Sequence, residues 1–116
     1  MLKSKFYVCP ICGNIIHSIG EAAISCHGIL LQEEVAEESE EDHYIDVQVS
    51  EGEYFVHMDH PMTKDHYISF LAALAPDRIQ MVKLYPEGNA QARFQMAGTR
   101  ILFAYCNREG LFKVKL

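Results

Sequence analysis

The sequence predicts an all-β chain: a β-sandwich preceded by a small cysteine-based metal knuckle. Three observations lead there. Successive runs alternate polar and apolar residues with period two, and glycine- or proline-bearing turns separate them. Cys9, Cys12 and Cys26 crowd the N-terminal quarter, whereas Cys106 stands alone. At 116 residues, there is room for one ordinary domain or for one small domain with a metal-stapled appendage.

The elements follow in order. Phe6-Tyr7-Val8 is β-prone and leads into Cys9-Pro10-Ile11-Cys12-Gly13-Asn14. A second short strand, Ala22 to Ser25, leads into Cys26-His27-Gly28. A glycine just after each ligand pair lets the backbone fold round an ion and aim amides at sulfur. Residues 1–32 form this knuckle. Residues 33–42 carry seven acidic side chains in ten, most simply a solvated linker. Residues 43–116 supply the sandwich. Tyr44–Val49 and Glu53–His57 flank Ser50-Glu51-Gly52 as a hairpin. Thr63–Ala75 is ambiguous: Thr63 suits a helix cap, yet Tyr67-Ile68-Ser69-Phe70 suits a strand. Gln80–Tyr85 reads as a strand closed by Pro86-Glu87-Gly88-Asn89. Ala90–Ala97, Arg100–Cys106 and Leu111–Leu116 complete the set, with Phe55, Phe70, Phe94, Phe103 and Tyr105 expected in the core.

Composition excludes several classes. A formal net charge of −6 argues against nucleic-acid and anionic-membrane partners, which require clustered Lys and Arg. No apolar run approaches the roughly 20 residues of a membrane span, and the N-terminus has no secretory apolar core. A cytoplasmic location is expected, and in a reducing compartment such cysteines ligate metal more often than they pair.

Two constellations carry chemistry. Cys9-x-x-Cys12 with Cys26 offers three thiolates to a tetrahedral ion, zinc or iron, and either His27 or His17 is available as the fourth ligand. The second joins His60-Pro61-Met62-Thr63-Lys64-Asp65-His66 to Tyr105-Cys106-Asn107-Arg108-Glu109-Gly110. Two histidines six apart across a proline turn can face one ion, and a cysteine at a strand end can complete the site.

These segments resemble the desulfoferrodoxin family of superoxide reductases over nearly the whole chain. KFYVCPICGNI and SCHG are similar to the family's desulforedoxin-like knuckle, Lys-Phe-Tyr-x-Cys-x-x-Cys-Gly-Asn and Cys-Cys-Gly. HPMTKDHYI and YCNREGL are similar to His-Pro-Met-x-x-x-His-Tyr-Ile and Tyr-Cys-Asn-x-His-Gly-Leu. The resemblance implies an immunoglobulin-like sandwich, often dimeric, with non-haem iron held by four histidines and one axial cysteine. It implies superoxide as substrate, hydrogen peroxide as product and a small electron donor such as rubredoxin. By position, His60, His66 and Cys106 match the iron ligands. His43 matches the first histidine, with His57 as its competitor. Glu41 matches the mobile carboxylate that caps the open position.

The chain departs from the family pattern in three places. Glu109 stands where the last histidine belongs; a carboxylate can ligate iron but adds an anion that favours the ferric state. Asp42 stands where a superoxide-attracting lysine belongs. That two-unit swap costs roughly 0.8 kcal/mol at ~10 Å in water-like dielectric, a several-fold slower encounter. His27 replaces the second cysteine of the knuckle's adjacent pair, which favours zinc over a redox iron. The competing expectation is a non-catalytic metalloprotein of the same fold, with structural zinc and a degenerate iron site.

Overall fold

The computed structural model describes residues 4–40 and 43–116, which fall into two compact units, Met1–Val35 and Ala36–Leu116. Among the described residues there is no α-helix.

The first unit is two short hairpins. β1 (Ser4–Val8) pairs antiparallel with β2 (Ile15–Ile19), from Ser4 opposite Ile19 to Val8 opposite Ile15. The Cys9–Asn14 loop closes with Cys9 N–H donating to Asn14 O at 2.9 Å and Gly13 N–H to Cys9 O at 2.9 Å. β3 (Ser25–Cys26) and β4 (Ile29–Leu30) meet across His27-Gly28, both with positive φ (52° and 73°). That is the two-residue turn whose twist matches the strands it joins, and Gly28 adopts it without strain. Tyr7, Cys9 and Leu31 form the unit's buried centre, with Ile16, Ile24, Cys26 and Ile29 packed round it.

The second unit is the sandwich. Its strands are β5 (Glu37–Glu38), β6 (Asp46–Ser50), β7 (Glu53–His57), β8 (Ile68–Ala75), β9 (Arg78–Lys83), β10 (Gln91–Gln95), β11 (Ile101–Cys106) and β12 (Gly110–Lys115). One sheet has three strands in the order β10-β7-β6, the other five in the order β5-β12-β11-β8-β9. Val56 and Phe94 from the first sheet pack with Leu71, Ala73, Leu102, Ala104 and Phe112 from the second, and the core runs on through Ile45, Met58 and Cys106. Phe55 and Tyr105 are only half-buried; Phe55 instead lies under the Arg93 guanidinium, 5.4 Å from its centre.

The ambiguous stretch resolves into β8, all eight residues of which are buried. Thr63 starts no helix. Its N–H donates to His66 O at 2.9 Å and its Oγ1 to the same carbonyl at 3.2 Å, closing a tight loop before the strand. In the acidic run, Glu34 N–H donates to Phe6 O at 2.8 Å, and Glu37–Glu38 pair in parallel with Phe112–Lys113 of β12. Each of these pairings lies within its own unit, while Glu33, Glu37, Glu38 and Glu40 are exposed.

Candidate metal centres

In the sandwich, His43 sits in the approach to β6, and its N–H donates to Glu40 O at 2.7 Å. His60 and His66 belong to the β7–β8 connection, Cys106 ends β11, and Glu109 lies in the β11–β12 turn. One ligand atom from each of these five residues falls within 4.8 Å of the others. The ring centroids of His43 and His60 are 5.0 Å apart, and those of His60 and His66 are 4.7 Å apart, edge to face. Glu109 Oε1 is the hub, 3.1 Å from His66 Nε2, 3.4 Å from His43 Nε2 and 4.0 Å from Cys106 Sγ.

Local structure aims each side chain. His60 Nδ1–H donates to Pro61 O at 2.7 Å, because a carbonyl can only accept. That bond fixes the tautomer and leaves Nε2 as a bare lone pair, as a metal ligand requires. His60 Nε2 is buried with no hydrogen-bond partner, and so is His43 Nε2, whose 3.4 Å approach to Glu109 lacks hydrogen-bond geometry. Such orphaned nitrogens are costly unless an ion completes them. The His43 ring stacks on Phe112 at 4.0 Å and 8°, which sets its plane. The β8–β11 register slips between Tyr105 and Cys106, so that Cys106 faces Ile68, and such bulges re-aim side chains beside functional sites.

Asn107 then ties the two ligand-bearing loops together. Its N–H donates to Tyr67 O at 3.1 Å, its Oδ1 accepts from Tyr67 N–H at 2.9 Å, and its Nδ2 donates to Asp65 O at 3.1 Å. His66 is therefore held from both sides by a residue that directly follows Cys106.

Burial dominates the titration of two ligands. It pushes the Cys106 thiol up, although the amides of Arg108 and Glu109 point at its sulfur and pull the other way. It pulls His60 below the ordinary histidine range, and the neighbouring His43 and His66 add to that. Both effects favour the uncharged side chains in the metal-free site. A soft thiolate, three imidazoles and one carboxylate form a donor set suited to iron.

Beside this cluster lies a cleft of about 640 Å³, lined by Tyr44, Asp46, His57, Asp59, His60, Pro61, His66 and Glu109. His57 is not in the ligand cluster. Its Nδ1 is 3.2 Å from Asp46 Oδ2, its partner across β6 and β7. Glu41 and Asp42, the expected capping carboxylate and charge reversal, lie outside the described residues.

The second cluster is in the N-terminal unit. Cys9, Cys12, Cys26 and His27 also present ligand atoms within 4.8 Å of one another. Cys12 and Cys26 sulfurs are 3.6 Å apart, and His27 Nδ1 lies 3.3 Å from Cys26 Sγ and 3.8 Å from Cys9 Sγ. Thiolates at ~2.3 Å from a tetrahedral zinc sit about 3.8 Å apart, so the spacing fits. His17 points elsewhere, its Nε2 2.9 Å from Ser4 Oγ. The Cys12 amide, donating to Cys9 sulfur, draws the Cys9 thiol down to about 6. Cys26, crowded by the sulfurs of Cys9 and Cys12, is pushed up to about 11. An ion replaces both protonation equilibria with thiolate bonds.

Comparison with known proteins places these centres in context. The family model described as Desulfoferrodoxin matches residues 32–115. A desulfoferrodoxin of Clostridium acetobutylicum is 34% identical over 59 residues, covering 51% of this chain and 47% of that protein. A desulfoferrodoxin of Desulfarculus baarsii is 29% identical over 122 residues and 97% of each chain. The crystal structure of the superoxide reductase from Treponema pallidum superposes with a TM-score of 0.84 at 20% identity, over 97% of this chain and 98% of that one. At that identity the likeness establishes the fold, an immunoglobulin-like sandwich behind a small knuckle.

Proposed function

The chain belongs to the desulfoferrodoxin family, and on that premise we propose that it is a superoxide reductase-like iron oxidoreductase converting superoxide to hydrogen peroxide. The observation that carries this reading is the convergence of His43, His60, His66, Cys106 and Glu109, with two buried ring nitrogens that lack a partner. Iron held by those five residues supplies the single electron that the reaction consumes. His60, through Pro61 O, and His43, against Phe112, keep their rings turned for ligation before an ion arrives. Asn107 holds the loop of His66 to the turn of Cys106. Glu41 is assigned the capping carboxylate on its place before His43 in the sequence alone.

Glu109 sets how well the reaction runs. It adds a second anionic donor to the Cys106 thiolate, which stabilises the oxidised ion and weakens the site's pull on an anionic substrate. The activity is accordingly weaker than a four-histidine centre would give. The N-terminal cluster takes zinc as a structural ion. The remaining assignments, resting on the family resemblance and charge, are a small donor such as rubredoxin, a homodimer and the cytoplasm; no helix among the described residues is long and apolar enough to cross a membrane.

One observation favours a second reading. Asp46, Asp59 and Glu109 all face the cleft, and among the described residues its lining contains no Lys or Arg. A non-catalytic metalloprotein with structural zinc and a degenerate second site would tolerate that. Superoxide consumption by the iron-loaded chain separates the two. One hydrogen peroxide per superoxide, without oxygen release and dependent on a reductant, is expected. A rate no higher than that of the zinc-loaded chain would favour the non-catalytic reading.

A further inference from the structure

Resting on the iron reading above, we propose that the His57–Asp46 pair, held across two strands at the cleft wall, is this chain's own proton-donating device. Reduction of superoxide to hydrogen peroxide takes up one electron and two protons, so a group in the cleft that can carry a proton is chemically required unless water serves alone. Apart from the ligand histidines, His57 is the cleft-lining side chain able to be cationic near neutral pH.

The pair is built into the sheet. Asp46 and His57 are register partners across β6 and β7, with His57 Nδ1 3.2 Å from Asp46 Oδ2. Cross-strand partners on one face are held side by side by the backbone ladder, so this contact does not depend on a loop. A carboxylate on Nδ1 orients the imidazole and leaves Nε2 for proton transfer. The Phe55 ring lies nearly parallel to His57 at 6.2 Å, giving it an apolar flank.

Several charged groups among the described residues share this sheet or this cleft with His57. From β6 comes Asp46. Its partner on β10 is the uncharged Gln91, and the next ladder pair sets Arg93 opposite Phe55. Arg93 is engaged by Ser50 O at 3.2 Å and Glu53 Oε1 at 3.5 Å. Asp59 and Glu109 close the cleft wall. Superoxide entering this cleft meets an imidazole whose Nδ1 is engaged by Asp46 and whose Nε2 can pass on a proton. In the step proposed, the Nε2–H bond breaks, its proton joins the reduced dioxygen, and the neutral imidazole keeps its Nδ1–H bond to Asp46 until solvent restores the Nε2 proton. The second proton comes from water.

The test uses the iron-loaded full chain with His57→Gln and Asp46→Asn. Superoxide consumption is measured from pH 5.5 to 9, with azide titration of the oxidised protein followed in the visible spectrum at the same pH values. The parent is expected to slow as pH rises across this range, and its azide affinity to weaken in parallel. His57→Gln should lose roughly tenfold to a hundredfold in rate at low pH, and both pH dependences should flatten. Asp46→Asn should lower the rate and weaken both pH dependences without abolishing them, because the imidazole loses the carboxylate that orients it. A His57→Gln protein that keeps its iron and the parent's two pH dependences would overturn the proposal and leave the iron reading standing. A parent that consumes no superoxide when iron-loaded would overturn both.

Discussion

At the scale of single residues, the centre is defined by nitrogens that have nothing else to do. His60 Nδ1 is spoken for by Pro61 O, and its buried Nε2 is left bare. Glu109 is the residue that sets this centre apart, contacting His43, His66 and Cys106 at once. Replacing it by a neutral imidazole removes an anion from the ligand set. We expect Glu109→His to retain iron more tightly through dialysis and to consume superoxide about tenfold faster, measured by metal content and by a superoxide decay assay. No gain would mean that the loop holds position 109 unsuitably for a ring. The residues of both clusters were legible in the sequence because Cys-x-x-Cys and His-Pro-Met-x-x-x-His are local patterns. The choice between His43 and His57, and between His27 and His17, was not. It depends on which strand face each occupies and on what each ring nitrogen meets across a sheet, as with His57 and Asp46 or His17 and Ser4.

At the scale of elements, Asn107 has the role that sequence reasoning missed. It could have been suspected only from its place directly after Cys106, since its partners Asp65 and Tyr67 are some forty residues away. Removing that strap should loosen His66 without unfolding the sandwich. Asn107→Ala is expected to weaken metal binding 10- to 100-fold and to cost about 1 kcal/mol of stability, read by competitive chelation and denaturant unfolding. Equal affinity in the variant would show that the loop is held by other contacts. Strands with one solvated face, such as β7 and β10, were plain from period two. β8 was not, because a strand buried on both faces shows no alternation and can be mistaken for a helix. β2 also went unseen, although three of its five residues are β-branched isoleucines; it pairs with β1 across the Cys9–Asn14 loop. In the N-terminal unit, buried Phe6, Tyr7, Cys9 and Leu31 make too small a core to hold the fold alone. Chelating its metal should therefore expose the amides of Ile24–Leu31 to hydrogen exchange, while β8 and β11 stay protected. Unchanged protection after verified metal loss would show that packing suffices.

At the scale of the whole molecule, charge and protonation govern behaviour. Burial lowers the pKa of both His17 and His60. The folded chain therefore holds them neutral, and the unfolded chain binds more protons from the ordinary histidine range downward. Their contribution to stability is complete above about pH 6.5 and is lost as pH falls. Glu34, raised by burial, works in the opposite sense, but only around the lower carboxylate range. The metal-free protein should thus unfold at lower urea at pH 5 than at pH 7.5, and its metal should dissociate over the same interval as protons compete for the histidines. With a net charge of −6, the chain repels superoxide at long range, so moderate salt should speed rather than slow encounter.

Everything proposed for this chain depends on iron bound by Cys106 within the His43, His60, His66 and Glu109 cluster. The most direct measurement is metal analysis joined to a visible spectrum after mild oxidation, for the parent and for Cys106→Ser. About one iron per chain at this centre is expected, with a thiolate-to-iron charge-transfer band that Cys106→Ser abolishes. Zinc alone without colour, or a band that survives the substitution, would contradict it.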